Sequence, residues 1–162
     1  MQKLVIYADR CTGCRVCELV CALYNEGVNN PMFSRIRVIS DYTCRLDSPV
    51  VCYQCSNPPC VPPCPVSAIS KDPETGVIQI DYETCIACGL CSANCPFGAI
   101  PQLEAKVIKC ELCGGDPQCV RYCETKALEM VDREAAYQDR RLEHGQKFIR
   151  TQKETAGLTD QP

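Results

Sequence analysis

The chain has 162 residues, a formal net charge of −3, three phenylalanines, no tryptophan and 17 cysteines. This length fits one domain or two small modules, and so few large apolar side chains make a poor conventional core, so we expect metal or disulfide staples. The basic residues are scattered and form no groove with aromatic residues, which argues against a nucleic-acid partner. No apolar run is long enough for a signal peptide or a transmembrane segment, so we expect a cytoplasmic chain with no membrane span.

The first predicted elements lie around the first cysteines. Residues 3–8 alternate between apolar and polar types and are rich in β-formers, which predicts a strand. Residues 14–24 place apolar side chains at helical spacing. They therefore predict a helix that carries Cys17 and Cys21 and stops at Gly27.

A second strand is predicted over residues 35–40, which alternate strictly. Ile36 and Val38 share one face of this strand. Arg35 and Arg37 share the other face, where we expect them to be solvated.

Short strands and a charged tail complete the predicted elements. Residues 77–80, 105–108 and 127–131 read as strands. Asp132 is suited to cap a helix that runs to about residue 151. This helix would carry a thin apolar stripe of Ala135, Leu142 and Ile149, and we expect residues 157–162 to be disordered.

Sixteen cysteines form four quartets. Cys85, Cys88, Cys91 and Cys95, followed by Pro96, match the C-x2-C-x2-C-x3-C-P run that holds an iron–sulfur cluster through thiolates. The fourth cysteine of such a run ligates the other cluster of a two-cluster pair, so the run predicts a partner motif. This quartet is the third motif in chain order. The first motif is Cys11, Cys14, Cys17 and Cys21; the second is Cys52, Cys55, Cys60 and Cys64; and the fourth is Cys110, Cys113, Cys119 and Cys123.

Sixteen ligands at four per cluster predict four 4Fe-4S clusters. Cys64 and the residues after it echo Cys95 and its successors, including the proline that follows each, so this part of the chain contains an internal repeat. Cys44 lies outside the quartets, and we expect a buried or merely unligated thiol there.

Two other uses of cysteine compete with iron–sulfur clusters. A disulfide framework is typical of secreted chains, and no secretory segment is visible here. Zinc ribbons use two C-x2-C pairs per ion, separated by a longer loop, whereas each set here is a compact quartet. Both alternatives are therefore weaker than the cluster interpretation.

The second motif and the segments 109–113 and 119–123 resemble the four-cluster ferredoxin family of electron-transfer subunits, and the likeness covers residues 3 to about 131. That family includes the iron–sulfur subunits of dimethyl sulfoxide reductase, formate dehydrogenase, nitrate reductase and hydrogenase complexes. In size the chain is similar to the polyferredoxin subunits of tungsten aldehyde oxidoreductase and related benzoyl-CoA reductase complexes.

The resemblance implies an α+β, loop-rich fold of two interleaved bacterial-ferredoxin-like modules around four clusters. Residues 1–131 would form the four-cluster domain, with an inner module over about 50–100 and an outer module from 1–49 and 101–131. Residues 132–162 would form the helical tail. The implied ligand sets are Cys11, Cys14, Cys17 with Cys123; Cys110, Cys113, Cys119 with Cys21; Cys52, Cys55, Cys60 with Cys95; and Cys85, Cys88, Cys91 with Cys64.

The function implied by this family is single-electron transfer. The chain would be a non-catalytic subunit between a large catalytic oxidoreductase subunit, with a tungsten or molybdenum cofactor, and another redox partner such as a flavin subunit or further copies of itself. A free shuttle ferredoxin, a hydrogenase electron-transfer subunit and a structural zinc protein stay open as alternatives. We do not expect an enzyme, because the chain has no nucleotide-binding glycine motif and its single histidine, His144, lies in the tail.

Three basic residues lie near the fourth motif: Lys106, Lys109 and Arg121. Nearby positive charge raises the reduction potential of a cluster, although charged side chains beside a loop are usually just solvated. The sequence leaves both interpretations open.

Overall fold

A computed structural model describes residues 2–103 and 105–156. Within these residues every strand belongs to a two-stranded sheet, and short helices and turns lie between the strands. In chain order the elements are β1 (Gln2–Ile6), α1 (Val16–Glu26), β2 (Ile36–Asp41), β3 (Leu46–Val51), β4 (Ile69–Lys71), β5 (Ile78–Ile80), α2 (Leu90–Ala93), β6 (Gln102–Leu103), β7 (Lys106–Val107), α3 (Gln118–Arg121), β8 (Leu128–Asp132) and α4 (Arg133–Thr155).

The chain divides into two compact units, Ile6–Glu129 and the pair of segments Met1–Val5 and Met130–Pro162. In the terminal unit β1 pairs with β8, and α4 follows directly. The Asp132 side chain accepts a hydrogen bond from the Glu134 N–H over 2.9 Å, which confirms the predicted cap.

The helix α4 runs about one turn beyond the predicted end, and Leu142 and Ile149 on its predicted stripe are exposed. The side chain of Ala135, on the same stripe, and residues 157–162, for which we expected disorder, lie outside the described part of the chain. Among the described helices, none has the length and apolar character that crossing a bilayer requires.

The helix predicted over residues 14–24 is present as α1 and carries Cys17 and Cys21. It ends at Gly27, whose φ of 68° places it in the left-handed region and whose N–H donates to the Leu23 carbonyl oxygen over 3.0 Å. This is the common glycine ending of an α-helix. α1 packs against α3, which brings the first and fourth cysteine motifs to the same part of the fold.

The strand predicted over residues 35–40 is present as β2, which pairs antiparallel with β3 so that Ile36 lies opposite Val51. Ile36, Val38 and Val51 are buried, as expected for one face of a half-buried strand.

Arg35 is buried, and its predicted solvation is wrong. Its Nε donates to the Lys109 carbonyl oxygen over 3.1 Å, and its Nη2 forms an ion pair with Glu26 over 2.9 Å. These acceptors partner two of the three guanidinium nitrogens inside the protein, which offsets much of the cost of burying the charge, while the buried Nη1 has no hydrogen-bond partner. Arg37 stays half exposed and lies 3.5 Å from the buried Glu18 carboxylate.

The hairpins β4–β5 and β6–β7 surround a small apolar core. Ile69, Ile78, Ile80, Ile100 and Val107 are buried there with Cys60. Cys64, Cys85, Cys91 and Cys95 pack against the same core. The loops of the second and third cysteine motifs therefore pack directly against this core, which suits a chain with few large apolar residues.

Candidate iron–sulfur sites

Four cysteines line one pocket beside α2: Cys64 from the second motif and Cys85, Cys88 and Cys91 from the third. The structure thus brings together residues that are far apart in sequence. Apart from the sulfur atoms, the pocket lining is largely apolar, including Val66, Ile69, Ile80 and Val107. We call these four cysteines set 4.

The backbone around set 4 is curled by residues in the left-handed region. Ala87 has a φ of 53° and Gly89 a φ of 77°. The Ala87 carbonyl oxygen accepts a hydrogen bond from Gln102 Nε2 over 3.4 Å. Small residues at these positions let the backbone bend closely around the pocket.

The Cys64 sulfur lies among backbone N–H donors. The Ala68 N–H donates to Cys64 Sγ over 3.2 Å. Burial raises the pKa of the Cys64 thiol, but hydrogen bonds from the N–H groups of Val66, Ala68 and the neighbouring residues outweigh it, so that the pKa is lowered. These donors favour the thiolate, which is the form that binds metal.

We call Cys52, Cys55, Cys60 and Cys95, the group that the family resemblance implies, set 3. Burial raises the pKa of Cys60, the Lys109 charge opposes this, and the charges of Cys52 and Cys95 raise the pKa further. The rings of Tyr53 and Phe97, each next to this set in sequence, pack with centroids 4.4 Å apart. Cys55 is half-buried, and its carbonyl oxygen accepts from Lys71 Nζ over 3.2 Å.

Set 2 consists of Cys110, Cys113, Cys119 and, from α1, Cys21. Burial raises the pKa of Cys119, and the sulfurs of the other three raise it further. Cys21 Sγ accepts hydrogen bonds from the Arg35 N–H over 3.3 Å and from Asn25 Nδ2 over 3.6 Å. Set 2 is thus a largely buried group of sulfurs with N–H donors.

Set 1 consists of Cys11, Cys14, Cys17 and, from the end of the fourth motif, Cys123. Burial raises the pKa of Cys11, and the Asp47 carboxylate, Cys14 and Cys123 raise it further. Burial, followed by Glu18 and Cys14, raises the pKa of Cys17 to about 12.

Charge interactions and shared packing connect the sets in the order 1, 2, 3 and 4. Cys17 of set 1 is among the charges that act on Cys119 of set 2, and Cys52 of set 3 is among those that act on Cys110 of set 2. Sets 3 and 4 share the apolar core around Cys60. Within the sets, Cys14 in set 1 and Cys88 in set 4 are exposed, so each end of the series has one exposed cysteine.

Buried polar residues join the sets, and the sequence motifs did not reveal them. The Gln54 side chain donates to the Cys110 carbonyl oxygen and accepts from the Ile78 N–H, both over 2.8 Å. Lys109, for which solvation was one expectation, is completely buried. Their positions directly beside motif cysteines are the only sequence signal that could have singled them out.

A single ion and a cubane differ in how closely their thiolate ligands lie. Within residues 2–103 and 105–156, no three His, Cys, Asp or Glu side chains are arranged to hold one metal ion. A zinc ion gathers its thiolates at bonds of about 2.3 Å. In a cubane each thiolate binds a different iron, so the ligand sulfurs lie farther apart.

A pocket lined by four cysteines, in a chain with four cysteine motifs, is typical of an iron–sulfur protein of the ferredoxin type. The chain belongs to the 4Fe-4S dicluster domain family, whose model matches residues 45–133. This confirms the expected class, an iron–sulfur electron-transfer subunit of an oxidoreductase.

Two of the similar proteins are named as subunits. The polyferredoxin-like subunit of aliphatic sulfonate oxidoreductase from Pyrococcus furiosus is 43% identical over 123 residues, which cover 74% of this chain and 70% of the relative. Formate hydrogenlyase subunit 2 from Escherichia coli strain K12 is 31% identical over 173 residues, covering 82% and 83%. Among solved structures, the active site complex BamBC of benzoyl coenzyme A reductase aligns with a TM-score of 0.49 and 25% identity, covering 82% of this chain and 78% of that chain.

Proposed function

We propose that this chain relays single electrons through four 4Fe-4S clusters, one in each of sets 1 to 4, as a non-catalytic subunit. The observation that carries the proposal is the series of four cysteine sets with an exposed cysteine at each end, Cys14 and Cys88. Such a series gives an electron one entrance and one exit. The interior sets 2 and 3 contain most of the buried cysteines.

The proposed fold consists of two interleaved ferredoxin-like modules within residues 1–131. Sets 1 and 2 each combine cysteines from the first and fourth motifs, which are distant in the chain, and α1 packs on α3 across that distance. The placement of Cys64 beside the third motif, in one pocket, supports the same arrangement for the inner module.

A non-catalytic role follows from the ligand sets. Each cluster would have four cysteine ligands, which leaves no iron open for a substrate. The chain would therefore change the oxidation state of its clusters and transform no molecule itself.

The partner would be a large catalytic subunit with a tungsten or molybdenum cofactor. Two relatives are named as subunits of an oxidoreductase and of formate hydrogenlyase, which supports membership of a complex. The cofactor itself is proposed from the family resemblance. The need to keep many thiols reduced before cluster assembly favours the cytoplasm.

Anaerobic purification of the tagged chain from its native cells tests the proposal. We expect a stoichiometric large subunit that contains tungsten or molybdenum, and reversible uptake of about four electrons per chain in a reductive titration. An iron-loaded chain that purifies alone would instead indicate a free shuttle. Uptake of no electrons would contradict the relay.

A further inference from the structure

Lys109 is a buried cation without a carboxylate partner among the described residues. Its side chain has 0% relative exposure, and its Nζ donates to the carbonyl oxygens of Ile78 over 2.6 Å and of Cys110 over 2.9 Å. The ion pairs of the described residues do not include it. A buried ammonium held by neutral carbonyls alone is costly, so we look for its counter-charge nearby.

The surroundings of Lys109 place it between sets 2 and 3. Cys110 belongs to set 2, whereas Ile78 packs in the core around Cys60 of set 3. Gln54, from the loop of set 3, bonds the same two residues, Ile78 and Cys110. The ammonium is therefore fixed by the contacts that join the two loops.

Lys109 contacts both sides directly. Its Nζ bonds the carbonyl oxygen of Cys110 itself and that of Ile78, which packs with Cys60.

We propose that the Lys109 ammonium is the shared counterion of the clusters in sets 2 and 3, and that it raises the reduction potentials of both. The inference rests on the proposed function, because it requires a cluster in each set. Reduction adds one electron to a cluster, and a buried cation stabilises the added negative charge. Because the Lys109 side chain is fully buried, dissolved ions should screen it little, so the effect should persist at high salt.

The other basic residues near the fourth motif serve as comparisons. The Lys106 side chain is 41% exposed and forms an ion pair with Glu26 over 2.8 Å. The Arg121 side chain is 65% exposed beside Asp116. Water and a carboxylate weaken the field of each cation, so neither should act on a cluster as Lys109 does.

The experiment uses the full chain, loaded anaerobically, as wild type and as Lys109→Met, Lys109→Gln, Lys109→Arg and Lys106→Met. Iron and sulfide are counted first, and the potentials of all clusters are then measured by redox titration followed by electron paramagnetic resonance. In the neutral Lys109 variants we expect reduction of two clusters to become at least about tenfold less favourable, equivalent to a potential lower by ~59 mV. The other two clusters, and all clusters of Lys106→Met, should change far less.

Each outcome decides the question. Unchanged potentials in a loaded neutral variant, a shift of one cluster only, or an equal shift of all four would overturn the shared counterion. If both neutral variants fail to bind clusters, Lys109→Arg decides. Clusters with near wild-type potentials in Lys109→Arg would support a role for the positive charge, whereas failure of Lys109→Arg to bind clusters would overturn the proposal. A wild-type chain with fewer than four clusters would refute the proposed relay itself, independently of any variant.

Discussion

Gln54 and Cys110 are 56 positions apart in the chain, yet Gln54 Nε2 donates to the Cys110 carbonyl oxygen over 2.8 Å. The Gln54 side-chain oxygen accepts the Ile78 N–H over the same distance, and Gln54 is buried. Since Gln54 lies between Cys52 and Cys55, one amide joins the loop of set 3 to the loop of set 2.

Replacing this amide should loosen both loops. In Gln54→Leu the buried Ile78 N–H loses its partner, and an unsatisfied buried group costs about 1–3 kcal/mol, while the Cys110 carbonyl keeps only its bond from Lys109 Nζ. We expect the urea midpoint for anaerobic loss of cluster absorbance to fall accordingly. Gln102→Leu is the control, because Gln102 is exposed and its bond to Ala87 is long at 3.4 Å; equal midpoints for the two variants would show that the Gln54 contacts are unimportant.

Cysteine substitutions should separate ligands from the spare thiol. Cys64 lines the set 4 pocket, whereas Cys44 is exposed in the turn after β2. We expect about 12 irons per chain in Cys64→Ala and about 16 in Cys44→Ala, because only the first removes a ligand. Anaerobic iron analysis measures this, and an unaltered count in Cys64→Ala would remove that residue from the ligands.

Two glycines in the left-handed region should respond differently to alanine. Gly13 and Gly98 have φ values of 68° and 60°, but a Cβ at Gly13 would meet the Asp47 carboxylate at 2.7 Å, while the space beside Gly98 is open. Asp47 accepts a hydrogen bond from Ser40 over 2.5 Å, which the collision would disturb.

Backbone strain in Gly98→Ala should therefore lower the free energy of unfolding by about 1–2 kcal/mol. Gly13→Ala should lower it by about 1.5–3 kcal/mol more, because the added Cβ also disturbs the hydrogen bond to the charged Asp47. Urea titration of both loaded variants gives the comparison. A smaller loss in Gly13→Ala than in Gly98→Ala would be inconsistent with the Asp47 contact.

The aromatic pair of Tyr53 and Phe97 should shield the cluster of set 3. The rings pack at 4.4 Å with an interplanar angle of 45°, and both are partly exposed. Phe97→Ala should speed the bleaching of about one cluster in air several-fold, since solvent exposure controls oxidant access. Tyr42→Ala, at an 87% exposed position, should bleach at the wild-type rate.

The elements with a clear period could be predicted from the sequence. Helix α1, strand β2 and the tail helix with its Asp132 cap are confirmed within a few residues. In each, the residues that determine the element lie next to one another in the chain. The pairing of β4 with β5 and of β6 with β7 involves two or three residues a strand, too few for a period to be visible.

The buried charges could not be predicted, because their partners are distant. The apolar and polar alternation of residues 35–40 correctly predicted that Ile36 and Val38 share a buried face. It does not reveal which groups of the folded chain contact Arg35. One of the two Arg35 partners is the Lys109 carbonyl, 74 positions away. Lys109 is likewise buried by the meeting of two loops that only the tertiary structure brings together.

The most direct test of the four-cluster relay is the content of iron, acid-labile sulfide and zinc per chain after strictly anaerobic purification. We expect about sixteen irons with matching sulfide, four of each for every set of cysteines. About eight irons would contradict four clusters, and about four zinc ions with no sulfide would contradict electron transfer altogether.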